Sequence, residues 1–392
     1  MSGPLYLAWR DLAFHRWKTA VLVTALSLIL FIPVGLRVLV QQSSEQLTAR
    51  AEATPLLVGA PGSPTELVLN SLYFGSDVPT TLSFAEADAV AATGLATPIP
   101  LYVRFRVRDQ PIVGTTPEYF SLRGLRVAAG RLPATLGEAV LGAAAARTLD
   151  VGVGGHVISS PESVFDIAGV YPLRMKVTGI LTPSDTPDDQ AVFVDVKTAW
   201  VIAGLGHGHQ DLSRPEAAAG VLSREDNVVI GNAAVVQYNE ITSENIDSFH
   251  FHGDPGAFPV TAVIAVPDDA KASALLQGRY QESTSVQIVR PDEVMSDLLG
   301  TVFTVERYVL AGALIVGLAT LATALLVFLL SLRQRQGERE TLSRIGGSPG
   351  SIRFLMASEI ILVLLVAIGI AGLLTLLASR YGSSAARAIA GL

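Results

Sequence analysis

RQRQGERETLSRIGGSPGSIRFLMASE, residues Arg333–Glu359, decides how the rest of the chain is read. It is a short polar and basic stretch between two apolar runs, Tyr308–Leu332 and Ile360–Ala378, neither of which contains a charged residue. Each run is long enough to cross a hydrocarbon core of roughly 30 Å as a helix. A connection this short stays at the membrane surface. Arg333, Arg335, Arg339, Arg344 and Arg353 outnumber Glu338 and Glu340 in it, and short basic loops are retained in the cytoplasm.

Half of the residues are apolar, and the excess falls in three blocks. They give membrane spans at 19–40, 306–332 and 355–378, a cytoplasmic start at 1–18, a cytoplasmic segment at 333–354 and a short tail at 379–392. Residues 41–305 contain 16 basic and 30 acidic residues, a balance of −14, whereas the remainder carries +7. Nucleic acid would need a basic footprint, so no nucleic-acid partner is expected. An acidic middle with basic flanks fits an exported domain.

Arg10, Arg16 and Lys18 precede the first apolar run, which keeps the N-terminus inside and sends the span outward. The run is longer than a signal-peptide core of about 7–15 residues, and no small-residue cleavage site follows closely. Leu5–Phe14 suits an interfacial helix on the inner leaflet, the alternative being a frayed tail. Pro33 removes one helical donor inside the span, while Arg37 and Arg307 can snorkel to the outer interface.

The expected fold is therefore an α-helical membrane protein, with three transmembrane helices and a large exported α+β domain. At one end of the exported region, Leu56–Gly59 precedes a helical pattern, with Ser83 as N-cap and Glu86 at N3, and then the alternating strand Ile99–Arg108. At the other end come strand Val260–Val266, helix Asp268–Tyr280 and strand Ser285–Val289. These two βαβ-like pieces predict a split βαβ lobe, bracketing a β-rich inserted lobe at about 111–256. Strands are expected in the insert at Ala139–Leu141, Phe165–Tyr171, Met175–Leu181, Ala191–Val194 and Asn227–Val236. There is no cysteine, so apolar burial alone must hold the lobes.

The order of a helix leading out, a large external domain, a helix leading in, a short cytoplasmic turn and a further helix resembles FtsX-like permeases of the MacB type, in the type VII ABC superfamily with LolC and LolE. Arg339–Ile352 followed by Glu359 is similar to that family's cytoplasmic R-E-x-x-x-x-x-x-G-A/S-x-x-x-I…E pattern. In the external part, GTTPEYFSLRGL (Gly114–Leu125), AGRLP (Ala129–Pro133) and GEAVLG (Gly137–Gly142) resemble phrases of MacB-type periplasmic domains. The resemblance implies a porter-like split lobe and a bacterial inner-membrane location with a periplasmic domain. Its implied partners are a separate cytoplasmic ABC ATPase dimer holding ATP and Mg, a second permease copy or related permease, membrane lipid, and a periplasmic adaptor or substrate-binding protein. It implies export or extraction of a hydrophobic substrate (lipid, lipoprotein, peptide or toxin). The alternative is a sensing or mechanotransmitting protein that regulates an external partner, including in response to metal. The family has four spans where three are found here, so the C-terminus is expected outside, and either a dimer mate or another membrane chain completes the bundle or the fourth helix is dispensable in this member.

No G-x-x-x-x-G-K-[ST] phosphate loop, G-x-S-x-G or H-E-x-x-H occurs, so the chain is expected not to be an enzyme and to bind no cofactor of its own. A short helix at Glu338–Ile345 would combine an apolar anchor, Leu342 and Ile345, with a rim of Glu338, Arg339 and Glu340. Gly346, Ser348 and Ile352 follow in the turn, and together these residues form the expected ATPase-coupling set. Ala313, Gly317, Thr320 and Ala324 make a small-residue stripe suited to helix packing, and Glu359 is expected to pair with an arginine at the inner end of its span.

Four of six histidines form two H-x-H pairs, His207 with His209 and His250 with His252. Residues two apart on an extended chain face the same way, so each pair can offer two imidazoles to one ion. Either the two pairs close a tetrahedral site, or one pair is completed by Asp211 or Asp254; zinc and copper both suit imidazole. The plain alternative is that glycine-flanked loops carry solvated histidines that never meet.

Overall fold

The computed structural model describes residues 3–75, 77–160, 172–209, 221–225, 228–231, 238–334, 336–346 and 348–390. It resolves into two compact units, Arg50–Met295 and a second made of Met1–Ala49 with Ser296–Leu392. The strand expected at Phe165–Tyr171 lies outside the described residues, as does most of that at Asn227–Val236.

In chain order the elements begin with α1 (Gly3–Phe14) and α2 (Arg16–Glu52). There follow β1 (Leu56–Gly59), α3 (Pro64–Tyr73), β2 (Leu82–Ser83), α4 (Ala85–Ala92), β3 (Ala96–Val107) and β4 (Gln110–Thr115). Next come α5 (Pro117–Leu122), β5 (Val127–Gly130), β6 (Glu138–Leu141), α6 (Ala143–Leu149), β7 (His156–Ile158), β8 (Arg174–Leu181), β9 (Val192–Asp195) and α7 (Val196–Ile202). The rest of this unit is β10 (Gly206–Gly208), β11 (Val221–Glu225), β12 (Val228–Gly231), β13 (Phe249–Phe251), β14 (Pro259–Val260), β15 (Ala262–Pro267), α8 (Ala270–Gln281) and β16 (Gln287–Val289). Three further helices close the described chain: α9 (Pro291–Gln334), α10 (Gln336–Arg344) and α11 (Pro349–Ala390).

One sheet dominates the Arg50–Met295 unit, in the order β16-β1-β15-β3-β4-β9-β6-β8-β5 with β7 also on β8. At its β16 end all neighbours are antiparallel, and helices cross over from β1 to β3 and from β15 to β16. The expected insert joins this same sheet. β3, at 12 residues about 40 Å long, pairs with β15 through Ala96–Leu101 and with β4 through Tyr102–Val107. The strands of the insert that carry most of its core, β6 and β9, read as unbroken apolar runs (AVL, VFV) because both their faces are covered. The Ser83 hydroxyl accepts the Ala85 N–H at 3.3 Å at the start of α4, although the helix boundary falls one residue later, at Phe84. The same hydroxyl donates to the Gly256 carbonyl beside the β2–β14 pairing, and the Phe84 ring stands 5.2 Å from that of Trp200.

A buried charge network fastens the end of α2 within this unit. Arg50 donates to Asp188 Oδ2 at 2.6 Å and Oδ1 at 2.9 Å, to the Tyr119 hydroxyl at 2.9 Å, and to the Leu72 carbonyl. Tyr119 in turn donates to Asp188 at 2.7 Å. Burial alone would raise the Asp188 pKa, but Arg50 and the Tyr119 hydroxyl hold it below the usual carboxylate range. Gly142 lets the Asp188 loop in, since a Cβ there would stand 2.2 Å from the Asp188 carbonyl oxygen.

In the second unit, Val23 and Leu26 of α2 pack on Val363 and Ala367 of α11, and Ser27 donates to the Ala367 carbonyl at 3.2 Å. Gly317 of α9 faces Ile29 of α2, so the small-residue stripe serves close helix packing. Among the described residues three helices are long and apolar enough to cross a membrane, within Arg16–Glu52, Pro291–Val327 and Pro349–Tyr381. Their exposed Leu314, Ile315, Leu365 and Leu373 make a surface suited to lipid. α11 continues through the segment expected as a tail.

Two outcomes follow. Asp188→Ala leaves the Arg50 charge buried without its partner and is expected to cost about 3–5 kcal/mol, read as a lowered melting midpoint by near-UV circular dichroism of the chain in detergent. A loss under about 1 kcal/mol would show that the pair fastens nothing. Glu138 is an acid-sensitive group nearer the surface. Partial burial would raise its pKa, but hydrogen bonds from Arg131 and from the Ala134 and Thr135 N–H groups bring it to about 2 from an ordinary 4.5. Its stabilising contribution is therefore complete above about pH 4.5 and lost as pH falls through about 2. Glu138→Gln should lower urea midpoints at neutral pH and converge with the parent below pH 2.

Candidate functional site

The two H-x-H pairs meet on a short antiparallel ladder rather than lying in loops. β10 and β13 pair Gly206 with Phe251, His207 with His250 and Gly208 with Phe249, and the His252 N–H to Leu205 carbonyl bond of 3.1 Å extends the ladder. Because side chains alternate along a strand, one face collects the histidines and the other the phenylalanines. Phe251 packs on Trp200 and Phe258, with centroids at 6.4 and 5.9 Å. Glycine stands opposite each phenylalanine because a Cβ at Gly206 or Gly208 would come within 2.6 or 2.5 Å of the facing ring. The aromatic side thus sets the register, and the register brings the imidazoles together.

The His207 ring centroid lies 4.9 Å from that of His250, 4.8 Å from His252 and 5.9 Å from His209; His250 lies 5.2 Å from His209 and 4.8 Å from His252. Ligand atoms of His207, His209 and His250 all fall within 4.8 Å of one another. These three are half-buried and His252 is exposed. Burial first, then the charges His250, His252 and His209 would carry, lower the His207 pKa below the ordinary value, so that ring is neutral at pH 7. His250 Nδ1 lies 3.1 Å from the Ser248 carbonyl oxygen. Asp254 faces another task, accepting the Gly256 N–H at 2.9 Å to cap a 3-10 turn, and Asp211 lies outside the described residues.

The ATPase-coupling candidates Glu338, Arg339, Glu340 and Leu342 fall on α10, and Ile345 and Gly346 follow at its end. The Gly346 N–H bonds the Ser343 carbonyl at 3.1 Å, and Gly346 takes φ +94°, the left-handed conformation that stops a helix. Ser348 accepts the Ser351 N–H at 3.2 Å and so opens α11, whose first turn includes the half-buried Ile352. Ile345 is 76 % exposed beside the exposed Arg344 and Glu340.

Residues 19–229 match the family model described as MacB-like periplasmic core domain. The chain belongs to that family. It is a MacB/FtsX-like ABC permease, a membrane protein with an exported domain. The periplasmic region of MacB from Actinobacillus actinomycetemcomitans is similar to it at 11% identity, covering 63% of this chain and 93% of that one with a TM-score of 0.33. The extracellular domain of the noncanonic ABC-type transporter YknZ from Gram-positive bacteria is similar at 12% identity, covering 60% and 98% with a TM-score of 0.30. No curated protein matches the chain.

In this MacB-like permease, Glu359 is 6 % exposed and lines a cavity of about 420 Å³ with Asp11, His15 and Lys18. The Arg50–Asp188–Tyr119 network was not singled out by sequence reasoning. A signal was present, since Tyr119 sits inside the quoted GTTPEYFSLRGL phrase and Gly142 ends GEAVLG. Gly206→Ala should push Phe251 off Trp200 and cost about 1–3 kcal/mol. A changed Trp200 emission, measured with Trp9 and Trp17 replaced by phenylalanine, checks it; an unchanged spectrum and midpoint would show that the aromatic face does not set the register.

Proposed function

We propose that this chain is the permease subunit that transmits ATP-driven motion from a separate cytoplasmic ATPase dimer to its exported domain, for export or extraction of a hydrophobic substrate such as a lipid, lipoprotein, peptide or toxin. The observation that carries the reading is α10, a charged helix with two acidic and two basic residues that is followed by an exposed isoleucine, lodged between two membrane-length helices of a MacB-family chain. An apolar side chain with a charged rim suits a groove on a partner protein. The chain has no phosphate loop of its own, so ATP and Mg belong to that partner.

On this reading residues 333–354 lie in the cytoplasm and 41–305 outside the inner membrane, as a porter-like split βαβ lobe with its β-rich insert. The three-helix unit packs against a second permease copy or a related chain, and an external adaptor or substrate-binding protein engages the exported domain. Glu338, Arg339, Glu340, Leu342 and Ile345 make the ATPase contact, while Gly346, Ser348 and Ile352 fix the turn into α11.

The combined change Arg339→Glu, Glu340→Arg and Leu342→Asp should abolish copurification of the ATPase from detergent extracts, with the near-UV spectrum unaltered. Full retention of ATPase by the triple variant would overturn the coupling assignment.

A further inference from the structure

We propose that His207, His209 and His250 form a binding site for one zinc ion on the exported domain, with the exposed His252 as an exchangeable fourth ligand. The inference stands apart from the permease reading, because it uses only the ladder of β10 and β13 and the side chains on one of its faces.

The donor set decides the class of ion. Hard cations such as Mg²⁺ and Ca²⁺ take carboxylate and carbonyl oxygen, whereas neutral imidazole selects zinc and its neighbours in the first transition row. Here the group whose ligand atoms converge is three histidines, and the fourth ring, His252, stands 4.8 Å by centroid from both His207 and His250. Four rings at such distances bring their nitrogens within reach of one ion. The acidic exported region, at −14, adds a favourable field for it.

Geometry then separates three ligands from one. Tetrahedral zinc with Zn–N near 2.0–2.1 Å needs nitrogens about 3.4 Å apart, and the ligand atoms of the three half-buried histidines lie within 4.8 Å. Ring rotation about the side-chain bonds covers the remaining 1.4 Å or so without moving either strand. His250 is already oriented for it: a carbonyl oxygen only accepts, so its Nδ1, 3.1 Å from the Ser248 oxygen, carries the proton and Nε2 keeps its lone pair. The aromatic anchorage of the opposite face on Trp200 and Phe258 holds the strands in place while the rings turn. His252 lies at the exposed edge, where solvent or an external donor can replace it. That is an arrangement for loading and releasing an ion from outside.

The test uses the full chain in detergent, purified without a histidine tag and stripped with EDTA. Equilibrium dialysis with ZnCl₂, in a background of millimolar MgCl₂ and CaCl₂, should give one bound zinc per chain with Kd at about micromolar or below, and zinc should raise the melting midpoint. His207→Asn with His250→Asn should weaken zinc binding at least about tenfold while leaving the metal-free melt unchanged. His252→Ala should bind with smaller loss, and His156→Asn, outside the ladder, should bind as the parent does. Less than half an equivalent in the parent, or equal binding by parent and double variant, would overturn the site. Should the double variant fail to fold, diethyl pyrocarbonate labelling of the parent decides: zinc must protect His207, His209 and His250, and labelling unaffected by zinc overturns the proposal.

Discussion

A guanidinium does not enter a protein interior without its counter-charge, and the placement of Arg50 constrains much of the exported unit around it. The desolvation cost is several kcal/mol per ion, and it is offset only where every donor finds an acceptor in good geometry. The Arg50 guanidinium finds its acceptors on three separate pieces of chain: the Leu72 carbonyl at the end of α3, the Tyr119 hydroxyl on α5 and the Asp188 carboxylate. Asp188 is 138 residues away in sequence. Its loop can come so close only because Gly142 has no side chain, and its carboxylate stays ionised because Arg50 and Tyr119 are there. One satisfied ion pair thus selects a single arrangement of helix end, helix turn and loop, whatever its net contribution to stability.

The sheet shows the same economy of means. β3 is long enough to carry two partners in succession, so the insert grows from the far half of a strand whose near half already belongs to the terminal βαβ pieces. Sharing a strand removes the edge that either portion would otherwise expose. The apolar clusters of both portions then merge, from Leu56 and Val263 at one side to Val177 and Met175 at the other.

The membrane helices were legible from length and composition, since nothing but a helix satisfies the backbone across an apolar run of that extent. Strands such as β6, β8 and β9 were legible too, from β-branched runs bounded by glycine and proline. At Ser83 the local pattern gave the hydrogen bond from Ala85, but not the second one, because the Gly256 carbonyl that its hydroxyl also meets is far away in sequence. The charge network was hidden by sequence distance: neither Arg50 nor Asp188 sits in a periodic pattern that points to the other. The histidine pairs were visible as pairs, but their strands were not, because glycine lowers β-propensity and the facing phenylalanines lie some 40 residues away.

The G-H-G-H and F-H-F-H segments assign opposite chemistry to alternate residues of both strands, aromatic packing on one face and imidazole on the other. A point substitution there alters one side chain. Loss or gain of a single residue within either segment does something different in kind, because it turns every following side chain to the opposite face at once. Imidazoles would then be driven against Trp200 and phenylalanines into water, with no intermediate that keeps half of each arrangement. Among relatives of this chain, length variation should therefore collect outside Gly206–His209 and Phe249–His252, and any lineage that carries an insertion inside them should have lost both the histidines and the glycines together.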